Sequence, residues 1–134
     1  MSTALLVVGI VAATVAALIH VLIFFLESVA WSRPTVWRGF GIADQADADV
    51  LRPMAFNQGF YNVFLAIGTA VGLLLLTYPA VSIAGLGIVL FALLSMLLAS
   101  IVLITSNPRL LRGALIQGVA PLIGVVFLIL AQVV

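Results

Sequence analysis

The chain has 134 residues, of which 66% are hydrophobic and 7% are charged, with a formal net charge of +1 and neither Cys nor Lys. A soluble domain carries about a quarter charged residues, so the composition is that of an integral membrane protein, and the length has room for one domain, residues 1–134. Disulfides and thiolate metal sites are excluded, and the lack of a basic patch argues against nucleic acid as a partner.

Four apolar runs are long enough to cross a bilayer, whose hydrocarbon core of about 30 Å takes about 20 helical residues. They cover residues 4–26, 56–77, 81–105 and 114–134. Backbone polar groups inside lipid must be satisfied within their own segment, so each run is expected to be helical. No Lys or Arg precedes the first run, which we therefore expect to be a retained span rather than a signal peptide. The predicted fold is an all-α membrane protein, a four-transmembrane-helix bundle.

The first connection, residues 27–55, is long and holds most of the charged residues. Pro34 is expected to end the first helix, because proline cannot continue one without losing a hydrogen bond. Asp44 is expected to cap a short surface helix over residues 45–51, which would stop before Pro53. The second connection is short and uncharged, and the third is a turn with two Arg.

The arginines predict the orientation of the chain. All five fall in the first and third connections: Arg33, Arg38, Arg52, Arg109 and Arg112. With four spans, those two connections lie on the same side of the membrane, and the positive-inside rule makes that side cytoplasmic. We therefore expect a multi-pass protein with a long first cytoplasmic connection and both termini outside, in contact with membrane lipid.

One face of the first span combines small and ionisable residues. At 100° per residue, a narrow stripe contains Gly9, Ala13, Ala16, His20, Glu27 and Trp31. Small residues at this spacing let another helix approach closely, and ionisable groups on the same stripe indicate that it faces the bundle. Small-residue faces of this kind also suit a homo-oligomer.

The segment NQGFYN, residues 57–62, opens the second span with an unusual density of polar groups. Asn57 and Tyr61 are one helical turn apart, as are Gln58 and Asn62. Their arc covers about 140° of the helix, which is wider than a helix cap needs. The amides offer both donors and acceptors, which favours a ligand site. The alternative is that they only satisfy free backbone groups at a helix start.

Polar residues of the other spans lie at a similar depth. His20 is about two turns from the cytoplasmic end of its helix, and Gln117 is near the start of the fourth span. Together with residues 57–62, they predict a polar pocket in the cytoplasmic half of the bundle. His20 and Glu27 are about 10 Å apart along the helix axis, so any acid–base couple between them needs an intervening group such as Tyr61 or Asn57.

Three segments carry a resemblance to a known family: HVLIFFLES with the following Trp, FNQGFYNVFLAIG, and IQGVAPLIG. They resemble the domain-of-unknown-function 1304 family of small four-span bacterial membrane proteins. The resemblance implies the fold and a location in the bacterial cytoplasmic (inner) membrane, but no established activity. The corresponding positions are His20, Glu27, Trp31, Asn57, Gln58, Gly59, Tyr61, Asn62, Gln117, Gly118 and Pro121.

The first functional hypothesis is a membrane-embedded pocket that binds or processes a small amphipathic or lipid-like molecule. The predicted ligand-binding residues are His20, Glu27, Trp31, Asn57, Gln58, Tyr61, Asn62 and Gln117. If the protein is an enzyme, which the residues leave open, His20 and Tyr61 are the candidate acid and base groups and Glu27 the orienting carboxylate. No cofactor motif is present, and one His with four acidic residues argues against a metal site, so neither is expected.

Three alternatives remain at this point. The first is a small proton-coupled transporter acting as a dimer, for which His20 is the only deep ionisable group. The second is an accessory subunit of a larger membrane complex, whose small-residue faces would receive partner helices. In the third, the polar residues form a structural cluster that holds the helices together.

Overall fold

The computed structural model describes residues 2–134. Four long helices and one short one account for most of the chain, and four segments are long and apolar enough to cross a membrane. This confirms the predicted all-α, four-span fold. The helices are α1 (Thr3–Phe24), α2 (Pro34–Gly39), α3 (Gln45–Leu76), α4 (Ser82–Ser106) and α5 (Leu111–Val133). A π-helical turn, Phe25–Val29, extends α1, and 3-10 turns, Pro79–Val81 and Pro108–Leu110, precede α4 and α5.

The four long helices form an antiparallel ring. Helix α1 packs against α3 and α5, and α4 packs against the same two helices from the opposite side. The first and third connections therefore lie at one end of the bundle, where Leu110 approaches Gly41. We call this the arginine end, because all five Arg lie there. The other end holds the start of α1, the end of α5 and the short second connection.

Small residues set the distance between neighbouring helices. A Cβ atom on Gly9 of α1 would lie 2.8 Å from the Leu128 side chain of α5. Between α3 and α4, a Cβ atom on Gly85 would lie 2.8 Å from the carbonyl oxygen of Gly72. The helices can approach this closely only because these side chains are missing. The core between them is filled by larger residues, among which Leu93, Met96 and Leu128 are fully buried.

The small-residue faces are used within one chain. The predicted stripe of α1 is buried, with Gly9 packed on Leu128 and Ala13 facing Gly124. The Gly72 face of α3 is likewise covered by α4. These two surfaces are therefore occupied within one chain, and the homo-oligomer stays a prediction. Gly68 of α3, by contrast, has open space beside it.

Helix α3 begins earlier than its apolar run. Asp44 caps it as predicted, since its Oδ1 accepts a hydrogen bond of 2.9 Å from the Asp47 backbone amide. The predicted break before Pro53 is wrong, because one helix runs from Gln45 to Leu76 with Pro53 inside it. Proline removes the amide that would bond to the Asp49 carbonyl, and both residues are exposed, where water can satisfy that carbonyl.

Candidate functional site

A buried carboxylate joins the first span to α3. Glu27 is 8% exposed and lies in the π-helical turn at the arginine end of α1. Its Oε2 accepts a hydrogen bond of 2.9 Å from Nδ2 of Asn62, which also donates to the Gln58 carbonyl at 3.0 Å. The partner that the structure shows for this carboxylate is the Asn62 amide, and all five arginines are exposed. Single π-helical turns are frequent at functional sites.

The same turn packs tightly on α3 through Gly59. A Cβ atom at this position would meet the Ser28 hydroxyl and would lie 3.1 Å from the Phe24 carbonyl oxygen. Ser28 in turn donates a hydrogen bond of 2.8 Å to the Phe56 carbonyl. We call Glu27, Ser28, Gly59 and Asn62 the Glu27 junction. The glycine of the NQGFYN segment thus serves helix contact, which lets the Asn62 amide reach the carboxylate.

His20 lies deeper in the bundle and is 1% exposed. Its Nδ1 is 2.9 Å from the Ala16 carbonyl oxygen, an acceptor, so Nδ1 carries the proton of that hydrogen bond. The contacts of Gly9 with Leu128 set the antiparallel register of α1 and α5, which puts His20 level with the half-buried Gln117. The ring is therefore held to its own helix by this hydrogen bond.

Three residues predicted to line the pocket lie on the outside of α3. Asn57, Gln58 and Tyr61 are exposed, Tyr61 by 57%. The prediction that the Asn57 face points inward is wrong, because Gly59 and Asn62 fix the opposite face of the helix against the π-helical turn. Residues 57 and 59 are 200° apart on a helix, so the packing of one turns the other outward.

The predicted residues therefore do not come together in one pocket. Glu27 and Asn62 are in contact, while His20 and Gln117 share a level about two turns away. Trp31 is buried and donates a hydrogen bond of 2.9 Å from Nε1 to the Ala48 carbonyl, which ties the first connection to α3. Among residues 2–134, no cluster of three or more His, Asp or Glu side chains is arranged to hold a metal ion.

A cleft of about 610 Å³ lies at the arginine end. It opens between the first and third connections and the start of α5. Its lining consists of Arg38, Gly39, Gly41, Asn107, Arg109, Leu110, Arg112, Gly113 and Ile116. We call it the arginine cleft. A smaller apolar groove of about 160 Å³ lies between α4 and α5, beside Ser100 and Gly118.

The arginine cleft is strongly positive. Three of the five arginines line it, and none of the four acidic residues does. Arg38 lies over the ring of Trp37, with its Cζ atom 5.1 Å from the ring centroid, in a cation–π contact. Trp37 is buried against Trp31 and Ala48, so the base on which this guanidinium rests is fixed.

Sequence reasoning missed this cleft as a site. Arg38, Arg109 and Arg112 served only to predict orientation, although their placement in two connections on one side already brought them to the same end. The glycines at positions 39, 41 and 113 are the further signal, because they leave room between the two connections.

The sequence model of a protein family described as "Protein of unknown function (DUF1304)" matches residues 14–129. The match covers the Glu27 junction and the whole lining of the arginine cleft. No curated protein and no solved structure matches the chain. The family match confirms the resemblance carried by the HVLIFFLES, NQGFYN and IQGVAP segments. This four-span membrane protein belongs to the DUF1304 family.

Proposed function

We propose that this protein binds a small amphipathic molecule with an anionic head group at the cytoplasmic face of the bacterial inner membrane. The observation that carries the proposal is the arginine cleft, with three arginines and no acidic residue in its lining. It lies where the apolar spans end, the depth at which an amphipathic molecule keeps its polar group. An apolar tail would extend into the bilayer beside the exposed aliphatic residues of α5, such as Leu111 and Leu115.

The orientation forms part of this proposal, since the cleft must face the cytoplasm. The arginine bias of one end supports it. The chain has no Cys, so single Cys variants can be labelled cleanly. We expect a membrane-impermeant maleimide to label Val134→Cys in intact cells and to label Ala43→Cys only after permeabilisation, because both positions are exposed at opposite ends of the bundle. The reverse labelling pattern would place the cleft outside and overturn the proposal.

Proton-coupled transport has weaker support. His20 is buried within a span, as a coupling group would be, but its Nδ1 is bonded to Ala16 and it lines neither described cavity. We therefore rank transport second. Loss of proton-coupled efflux from liposomes in His20→Ala would favour it over binding alone.

The cleft proposal is tested by the lipids that purify with the full chain. We expect native mass spectrometry to show a retained anionic amphiphile, and Arg109→Gln/Arg112→Gln to lose it by about tenfold or more, because charge-assisted hydrogen bonds to both guanidiniums are removed. The matched control is Arg33→Gln/Arg52→Gln, which removes the same charge from exposed positions outside the cleft lining. Equal losses in both double variants would show non-specific attraction to anionic lipid and defeat the proposal.

A further inference from the structure

We propose that the arginine cleft selects a phosphate monoester over a phosphate diester or a carboxylate. This inference rests on the function proposed above and names the head group that the cleft takes. The shared chemistry is a terminal phosphate, carried either by a lipid of the inner leaflet or by a small soluble molecule.

The charge of the cleft carries the selection. Arg38, Arg109 and Arg112 bring three positive charges to the lining, which contains no acidic side chain. A phosphate monoester has about −1.5 to −2 charges at neutral pH and three terminal oxygens, each able to accept from a guanidinium. A diester or a carboxylate offers one negative charge and two such oxygens, so it neutralises less of the positive charge of the cleft.

The backbone at the start of α5 adds to the positive electrostatic potential of the cleft. Arg112 and Gly113 belong to the first turn of α5 and line the cleft, which places the positive end of that helix dipole beside the ligand. Gly113 has no side chain to cover the backbone there. Asn107 accepts a hydrogen bond of 3.2 Å from the Arg109 amide, which holds the turn that carries Arg109.

One of the three guanidiniums thus starts from a constrained position, Arg38 over the Trp37 ring, and the backbone that carries Arg109 is held by Asn107. Ordering flexible side chains costs free energy on binding, so groups already held lose less. Planar guanidiniums also match phosphate oxygens in a two-pronged arrangement that Lys cannot reproduce. The cleft is therefore suited to a compact, doubly charged group.

The test uses the full chain in nanodiscs of neutral phosphatidylcholine with equal small fractions of phosphatidic acid, a monoester, or phosphatidylglycerol, a diester. We expect phosphatidic acid to be retained about tenfold more strongly, the effect of one further charge-assisted contact. Arg109→Gln/Arg112→Gln should abolish the preference and Arg33→Gln/Arg52→Gln should keep it. Replacing the three cleft arginines by Lys should keep binding but reduce the preference for phosphatidic acid over phosphatidylglycerol. The positive charge remains, while the two-pronged contact of a guanidinium with phosphate oxygens is lost.

Lowering the pH provides a second readout. The ionisable side chains that line the cleft are the three arginines, which stay charged. The second pKa of a phosphate monoester is about 6, so the preference for phosphatidic acid should shrink between about pH 7.5 and about pH 5. Binding of phosphatidylglycerol should not change, and an unchanged preference across this range would overturn the inference.

Competition by glycerol 3-phosphate separates the two sources. If phosphatidic acid stays bound against an excess of it, the ligand is a lipid head group. If it is displaced and glycerol 3-phosphate binds in neutral nanodiscs, the ligand is soluble. Equal retention of both lipids, lowered in the cleft variant only, would overturn the monoester selection and leave the proposed function standing. No difference between cleft and control variants would overturn both.

Discussion

Replacing Gly85 by Ala is expected to lower the free energy of unfolding by about 1–3 kcal/mol, the usual effect of forcing extra atoms into a close contact. A Cβ atom there would lie 2.7 Å from the Leu76 amide nitrogen and 2.8 Å from the Gly72 carbonyl oxygen. Both are backbone atoms, which cannot rotate away, so α3 and α4 must separate. Thermal unfolding of the purified chain in detergent, followed by circular dichroism, measures the loss.

The control lies two residues further along the same helix. Gly87 has nothing within 4 Å of the position of a Cβ atom. Ala at this position is expected to be neutral or to stabilise by up to about 1 kcal/mol, since Ala has the higher helix propensity. Similar unfolding temperatures for Gly85→Ala and Gly87→Ala would mean that the α3–α4 contact is not the close approach described here.

The spans were predictable because their signal is strong and local. More than 20 consecutive apolar residues need no tertiary information to be read as a membrane-crossing helix. The buried stripe of α1 was also predictable, since Gly9, Ala13 and Ala16 stand at helical spacing beside His20. In both cases the residue pattern within one segment is sufficient for the prediction.

The face of α3 was not predictable in the same way. The polar residues of NQGFYN cover an arc of about 140°, with Asn57 and Asn62 at its two edges, so polarity alone could not say which of the two turns inward. Gly59 decided it, because the missing side chain admits the π-helical turn of the first span. That turn departs from regular α-helix geometry, and the spacing of residues in the sequence does not predict it. For this reason Asn57 and Tyr61 lie on the outside of α3 and do not form the predicted pocket.

The arginine cleft depends on tertiary structure entirely. Arg38 and Arg109 are far apart in the sequence and line one cavity because the first and third connections lie together at one end of the bundle. Positive charge near span ends is ordinary in membrane proteins and predicts orientation. Its grouping around one cavity, with no acidic side chain in the lining, appears only when the connections are folded onto one another.

The Glu27 junction leads to the second large expected effect. Asn62→Leu removes the amide that donates to the buried carboxylate, and we expect it to lower the free energy of unfolding by about 1–3 kcal/mol. Glu27→Gln should cost less, because its amide oxygen still accepts from Asn62. Glu27→Leu/Asn62→Leu should be less destabilised than the sum of its single variants, since an apolar pair leaves no buried polar group unpartnered.

A double-mutant cycle on Glu27 and Asn62 measures this coupling, for which about 0.5–3 kcal/mol is expected. Asn57→Leu is the matched control: it makes the same substitution on the same helix, at an exposed position, and should change stability by no more than about 0.5 kcal/mol. If Asn57→Leu destabilised the chain as much as Asn62→Leu, the inward face of α3 would have to be assigned differently. A coupling near zero would instead mean that the carboxylate finds another donor when the Asn62 amide is removed.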